Sequence, residues 1–334
     1  MIQASKELSV EDEKMMKTPP LLSVVVPCYY EEEVLPSTAE VLGKLLQDMI
    51  GNGEISPESH ICFVNDGSQD NTWPIIENLA SSSALYCGVN LSRNFGHQSA
   101  VLAGLFTDTA DAYVTIDADL QDDATKIRDM VALYREGKDI VYGCRNDRTS
   151  DTWFKRTTAE AFYSLRKKLG CYTVPNHADY RLMSLRAVHE LRKFGEVNLY
   201  LRGIVPLLGF PSAQVFYTRA QREKGESKYP LSKMIKLACD GVMNFSDVPL
   251  HLCLWAGCMG ILFSMGLVVY SLVRWHAGYT LPGWTSTVLI ISCFMSMQFL
   301  FTGIIGLYIG KIFRETKSRP RYIVQEYLSN RHQP

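Results

Sequence analysis

Two stretches without a single Asp, Glu, Lys or Arg constrain this chain more than anything else in it. Twenty-six residues separate Asp247 from Arg274, and another 36 separate Arg274 from Lys311. A bilayer core about 30 Å thick takes about 20 helical residues, so each stretch can cross once. A pair of buried core helices is the alternative. Runs this long around a loop containing Pro282 and Gly283 favour two transmembrane α-helices, at 248–273 and 286–310, with an external loop at 274–285. Trp255, Trp275, Tyr279 and Trp284 suit the aromatic belts of membrane interfaces. Six basic residues follow from Lys311 onward (Lys311, Arg314, Lys317, Arg319, Arg321, Arg331) against Glu315 and Glu326, whereas the loop offers Arg274 and His276. The positive-inside rule then puts the basic tail, 311–334, and the large N-terminal part in the cytoplasm. Residues 1–20 contain acids and no apolar h-region, and read as a flexible leader rather than a signal peptide.

The remaining length is ordinary globular sequence. Of 334 residues 47% are hydrophobic and 21% charged, and a net charge of −1 argues against a nucleic-acid binder. Nine cysteines contain no C-x-x-C pair, so buried thiols are expected rather than zinc or disulfides.

Strand and helix signals alternate through this part. Short β-branched or apolar runs at 21–27, 60–66, 85–91, 112–119 and 139–145 are each followed by a helical or polar stretch. That pattern predicts an α/β fold with a mostly parallel, Rossmann-like sheet covered on both faces. Such sheets bind ligands at the carboxyl ends of their strands, where Pro27–Glu33, Asn65–Ser68, Asp117–Gln121 and Arg145 fall. No G-x-G-x-x-G or G-x-x-x-x-G-K-[ST] is present, so a dinucleotide enzyme or a P-loop ATPase lacks its fingerprint.

In IDADLQDD (116–123) an apolar run meets Asp117 and Asp119 with one residue between. At a strand end, positions i and i+2 point the same way, so both carboxylates can face one cation. Hard oxygen ligands favour Mg2+ or Mn2+, which usually also hold substrate phosphates. The plain alternative is a solvated acidic turn or a helix cap, since Asp122 and Asp123 are expected to open a helix.

Other motifs tip that balance. SVVVPCYYEEE, VNDGSQDNT and IDADLQDD end successive strands, and SRNFGHQSAVLAG (92–104), ADYRLMS (178–184) and REKGESKY (222–229) follow. In that order they resemble the family 2 glycosyltransferases of GT-A fold. Within these the chain is similar to the polyprenyl-phosphate branch, which includes dolichyl-phosphate mannose synthases and bactoprenol glucosyltransferases. The resemblance covers about residues 20–325 and implies a GT-A domain over 21–229 that takes a nucleotide sugar, a prenyl phosphate and a divalent metal.

It also implies roles for individual residues. Pro27, Tyr29 and Glu31 would hold the donor's base and ribose, and Asp66 would contact the base. Asp117 would lie by nucleotide and metal, with Asp119 and Gln121 as metal ligands. Asp179 would sit in the sugar pocket with Arg181 close by. Arg145 would grip the acceptor phosphate, helped by Lys155 or Arg156, and Arg222, Ser227 and Lys228 would close over phosphates. The chain departs from the family pattern where Tyr30 replaces an Asn, Asn65 replaces an Asp, and Asp123 or Asp122 stands where Pro is frequent. Each departure leaves the key acid in place and bears on donor identity.

Phosphate chemistry fits these roles. A phosphate monoester has a second pKa of about 6, so it is mostly dianionic at neutral pH. It needs no base to become a nucleophile, unlike a hydroxyl. Direct attack at the anomeric carbon would invert it. Asp179 is then expected to orient the sugar, with the base role left open. His97 is expected to cap or line the cleft, His177 to be structural and His251 to face headgroups.

A basic segment (Arg219–Lys236) runs into apolar positions 231, 234, 235, 238, 242 and 245 at helical spacing. An amphipathic helix at 230–247 lying in the membrane interface is expected from it. The resulting expectation is a bacterial inner-membrane enzyme that moves one sugar onto undecaprenyl phosphate, a lipid-linked sugar for lipopolysaccharide modification. UDP-glucose is the first donor, with UDP-N-acetylglucosamine, a UDP-aminopentose and GDP-mannose open, and a homo-oligomer is not excluded. A processive synthase is disfavoured because the sole R-W pair, Arg274–Trp275, lacks the Gln of Q-x-x-R-W. Intact acids disfavour a non-catalytic binding protein.

Overall fold

The computed structural model describes residues 18–146, 177–196, 200–218, 248–277 and 283–330. These fall into two compact units, one built on a sheet that includes residues from Arg319 onward, the other holding the two long apolar helices.

The sheet unit runs β1 (Leu22–Cys28), α1 (Leu35–Gly51), β2 (His60–Asn65), α2 (Thr72–Ser82), β3 (Tyr86–Leu91), α3 (His97–Thr107), β4 (Ala112–Thr115), α4 (Lys126–Arg135) and β5 (Ile140–Arg145). It continues with β6 (His177–Ser184), α5 (Leu185–Arg192), α6 (Leu201–Leu207), β7 (Ser212–Tyr217) and, after the long helices, β8 (Val324–Ser329). The eight strands lie in the order β7-β5-β6-β4-β1-β2-β3-β8. Neighbours β4-β1, β1-β2, β2-β3 and β5-β7 are parallel; β6 is antiparallel to both β4 and β5, and β8 to β3. The expected α/β fold with a mostly parallel sheet is therefore present.

Helices on both faces explain why the central strands carry unbroken β-branched runs rather than an alternation. Val24, Val25 and Val26 are all fully buried, as are Ile61, Cys62, Phe63 and Val64. Burying one such side chain stabilises the fold by about 1.5–3 kcal/mol. On one face Leu35, Leu42 and Leu46 of α1 join Val24 and Val26 in the main cluster. On the other, α3 lies so close that a Cβ on Gly104 would stand 2.4 Å from Val25 Cγ1 and 2.9 Å from Val64 Cγ2. Glycine there sets the depth at which the helix seats.

Two local expectations are corrected. The fourth strand stops at Thr115 rather than reaching Asp119, because the chain turns at once: Leu120 takes a left-handed φ of 44° and its N–H reaches the Asp117 carbonyl at 3.3 Å. The next helix starts at Lys126, not at Asp122. Asp123 instead accepts from the Thr125 N–H (3.0 Å) and hydroxyl (2.6 Å) in the turn before it.

Among the described residues, the second unit holds α7 (Val248–His276) and α8 (Trp284–Thr316), which pack on each other. Within α7, Trp255–Arg274 is long and apolar enough to cross a membrane, and α8 holds a shorter apolar stretch, Met297–Phe313. Both expose large apolar side chains, Trp255 and Phe299 at 69% among them. A water-facing surface of that kind would be unusual for a soluble protein. The expected interface helix at 230–247 lies outside the described residues. Within the expected basic tail, residues 324–329 form β8 and belong to the sheet unit.

Candidate active site

At the carboxyl ends of β1, β2 and β4 the loops enclose a cleft of about 390 Å³. Pro27, Tyr29, Glu31, Asp66, Asp117, Asp119 and Asp179 line it, together with Cys28, Asn94, Gly96, His97, Ala100 and Ala118. Eight of the residues singled out from the sequence, His97 among them, thus meet in one place.

The first two loops are stitched together. The Tyr30 N–H donates to Ser68 Oγ (3.1 Å) and the Glu31 N–H to Thr72 Oγ1 (3.0 Å), while Glu32 accepts twice from Asn71, at 2.9 Å each. These bonds hold Tyr30 at φ 56°, and the exposed Tyr29 and Tyr30 rings meet edge to face at 4.6 Å. Asp66 does not present a free carboxylate: its two oxygens accept from the N–H groups of Phe95 (2.7 Å) and Gly96 (2.9 Å). It fastens the 92–96 loop over the β2 end. Burial raises its carboxyl above the usual range, against the pull of those two bonds.

The acidic turn carries the remaining negative charge. Thr38 Oγ1 donates to the Ala118 carbonyl at 2.6 Å, which anchors the peptide between Asp117 and Asp119. Asp119 Oδ1 accepts from the Gln121 N–H at 3.2 Å. Asp117 is raised by burial and by Asp122, Asp179 and Asp119 nearby, against His97, whose Nε2 stands 3.6 Å from its Oδ1. Like charges crowded this way, with oxygen donors on one turn, are the surroundings that a hard divalent cation relieves. Gln121 is buried and is not among the residues lining the cleft.

Asp179 differs from the other acids. Its Oδ1 pairs with Arg181 Nη2 (2.6 Å), and its Oδ2 accepts from Arg202 Nη2 (2.9 Å) and Nε (3.2 Å). Burial alone would raise it, but the two guanidiniums outweigh that and hold the carboxyl well below the usual range. Arg181 is buried behind the cleft and does not line it. Cys28 is no nucleophile: burial and Glu31 push its thiol far above its ordinary value.

Other expected residues lie elsewhere. Arg145 pairs with Asp122 Oδ1 (3.1 Å) and donates to the Tyr217 hydroxyl (3.3 Å), away from the cleft lining. Lys155, Arg156, Arg222, Ser227 and Lys228 fall outside the described residues. His177 packs edge to face on Tyr142 at 5.4 Å, as a structural histidine would. Among the described residues, the group of three side chains whose ligand atoms approach within 4.8 Å is His60, Cys87 and Asp108. It is buried near the amino ends of β2 and β3, away from the cleft. Burial opposes the charge of His60, but Asp108 at 2.6 Å raises it to about 9. Arg202 and Asn94 were not anticipated; a lone Arg in LYLRGIVPLL is the one signal for the former.

Comparisons with known proteins bear on this cleft. The profile described as Glycosyl transferase family 2 matches residues 23–192. The chain is 43% identical over 318 residues to the uncharacterized glycosyltransferase YkoT of Bacillus subtilis (strain 168), covering 95% of this chain and 94% of that protein. It is 36% identical to the bactoprenol glucosyl transferase of Shigella phage SfX, over 91% of this chain and 98% of the phage protein. With the prophage bactoprenol glucosyl transferase homolog of Escherichia coli (strain K12) it shares 34% identity over 91% and 98%.

Proposed function

The chain belongs to glycosyl transferase family 2, and we propose that it transfers one sugar from a nucleotide onto the phosphate of a polyprenyl lipid, inverting the anomeric carbon. UDP-glucose is the first donor expected, undecaprenyl phosphate the acceptor, and the cytoplasmic face of the bacterial inner membrane the setting. The observation that carries this reading is the pairing of two kinds of acid in one cleft. Asp117 and Asp119 form an oxygen-rich turn, while Asp179 is locked between two guanidiniums. The full-length likeness to bactoprenol glucosyl transferases supports the acceptor.

Pro27, Tyr29 and Glu31 line the end of β1 and are assigned to base and ribose, with Asp66 shaping that wall through the 92–96 loop. Asp117 and Asp119 fit a divalent cation, Mg2+ or Mn2+, since both are oxygen donors on one turn and their crowding favours positive charge. When bound, such an ion offsets the charge of a departing diphosphate. Gln121, buried and off the cleft lining, orients the Asp119 carboxylate through its backbone N–H. Asp179 is poorly suited to accept a proton, because both of its oxygens already accept from guanidiniums that keep it ionised. That suits a phosphate acceptor, which arrives as a nucleophile. Arg145, Arg156, Arg222, Ser227 and Lys228 are assigned to the acceptor side.

Strand β8 supports two membrane spans rather than one. Residues before 218 and residues 324–329 lie in a single sheet, so a chain crossing a bilayer between them crosses an even number of times. If Trp255–Arg274 spans, α8 supplies the return.

The test uses full-length protein in detergent with Mn2+ or Mg2+, undecaprenyl phosphate and a panel of radiolabelled nucleotide sugars. Label passing into organic solvent with one donor establishes the reaction and names the sugar. No labelled lipid from any donor, with folded protein and metal present, refutes the reading.

A further inference from the structure

We propose that Arg202 binds a substrate phosphate at the rim of the cleft, presented there by Asp179, an inference that rests on the transfer reaction above. Five carboxylates line the cleft (Glu31, Asp66, Asp117, Asp119 and Asp179), and His97 is its one basic lining residue among those described. A phosphorylated substrate entering such a cleft needs fixed positive charge close by. Asp179 is already matched by Arg181, whose side chain is 2% exposed and which donates through Nη1 to the Leu201 carbonyl at 3.3 Å. Arg202 adds a second guanidinium to the same carboxylate. One acid between two guanidiniums leaves a net positive charge.

That surplus is exposed on Arg202, whose side chain is 40% accessible. Its Nε and Nη2 are engaged with Asp179, and among the described residues Nη1 has no protein partner. The backbone beneath it is fixed, since the Leu201 N–H donates to Gln98 Oε1 at 3.0 Å and the Leu201 carbonyl is held by Arg181. Arg202 is not itself a lining residue but is bonded to Asp179, which is, and Asp117 lies within its electrostatic reach. A guanidinium held by one edge and open on the other is suited to phosphate oxygens. The phosphate could belong to the nucleotide's diphosphate or to the lipid; the chemistry is shared.

Arg202→Gln and Arg202→Lys in the full-length protein separate these sources. Steady-state KM is measured for nucleotide sugar and for lipid phosphate, with melting temperature and calorimetric binding of a nucleoside diphosphate alongside. The expected result for Arg202→Gln is a KM or Kd raised about tenfold or more on one arm. A rise on the nucleotide arm assigns the diphosphate, and a rise on the lipid arm the acceptor. Unchanged KM and Kd with a lowered melting temperature overturn the proposal and leave Arg202 a partner of Asp179 only. If Arg202→Gln does not fold, Arg202→Lys decides, because it keeps the charge and loses the fork: a several-fold rise supports the proposal, and wild-type values on both arms overturn it. If the wild-type protein transfers no sugar, the functional reading fails, while diphosphate binding still tests Arg202.

Discussion

Gly67 offers the sharpest test of how the cleft is built. It sits at φ 68°, and a Cβ there would stand 2.3 Å from the Arg93 carbonyl carbon, 2.5 Å from Asn94 N and 2.6 Å from Arg93 Cα. All three are backbone atoms, so no side chain can swing aside; the 92–96 loop must move by about 1 Å to restore ordinary contact. Left-handed backbone costs an L-residue about 1–2 kcal/mol. Displacing the loop breaks two hydrogen bonds to the Asp66 carboxylate, each about 1.5–3 kcal/mol. Gly67→Ala therefore costs about 1–2 kcal/mol if the loop flexes and about 4–8 kcal/mol if it detaches. Asp66→Asn weakens the same two bonds, so the double variant should fall well short of the sum of the singles. The assay is melting temperature of the full-length protein in detergent, with deuterium exchange at the Phe95 and Gly96 amides as the local readout. Faster exchange at those amides and weaker nucleotide binding are expected. Wild-type exchange and wild-type nucleotide affinity in Gly67→Ala would refute the lock.

Three further outcomes follow from the geometry. On the proposed reading Asp119 is a metal ligand, so Asp119→Ala should abolish transfer and chelation of the wild-type protein should do the same; full activity in EDTA refutes the metal assignment. Asp179 has a depressed carboxyl, so its contribution to stability is present above the unfolded value of about 3.9 and is lost only as pH falls through the lower folded value. The melting gap between wild type and Asp179→Asn should stay constant from pH 5 to 8, and a gap closing across that window would reinstate Asp179 as a base. Removing residues 324–334 bares the β3 edge and deletes the Tyr327 hydroxyl bond to Asp108 (3.2 Å) and the Asn330 bond to the Ala80 carbonyl (2.6 Å). A lowered melting temperature and aggregation are expected, and an unchanged melt would mean β8 contributes nothing to the sheet.

The central strands were legible because burial on both faces demands continuous β-branched runs, and LLSVVVP and HICFVND supply them. The end of β4 was not, since Ile116 prolongs the apolar run while the turn depends on Leu120 and on Thr38, 80 positions from the carbonyl it holds. Strand β6 was visible only as a motif: its polar letters, buried Arg181 and half-buried Asp179, are accommodated by pairing with each other rather than by hydrophobicity. Strand β8 reads as an ordinary charged tail, VQEYLS, because an edge strand needs few apolar residues. Of the site, the acids were legible by type and order. Their partners were not: Asp66 is turned inward by two amides, and Arg202 reaches Asp179 across 23 residues of sequence.

These partners matter to the proposed chemistry, because five carboxylates line the cleft that a diphosphate would enter. Asp66 is hydrogen-bonded by two backbone amides, which leave its charge in place, whereas the guanidiniums on Asp179 cancel and then exceed its charge. Asp117 has His97 Nε2 3.6 Å from its Oδ1 and shares its turn with Asp119. On the proposed reading, donor and divalent cation must therefore arrive together or in that cation's favour, since either acid turn or diphosphate alone repels the other at short range. Nucleotide affinity in this protein should then depend steeply on divalent cation, and equal affinity with and without the cation would refute the reading.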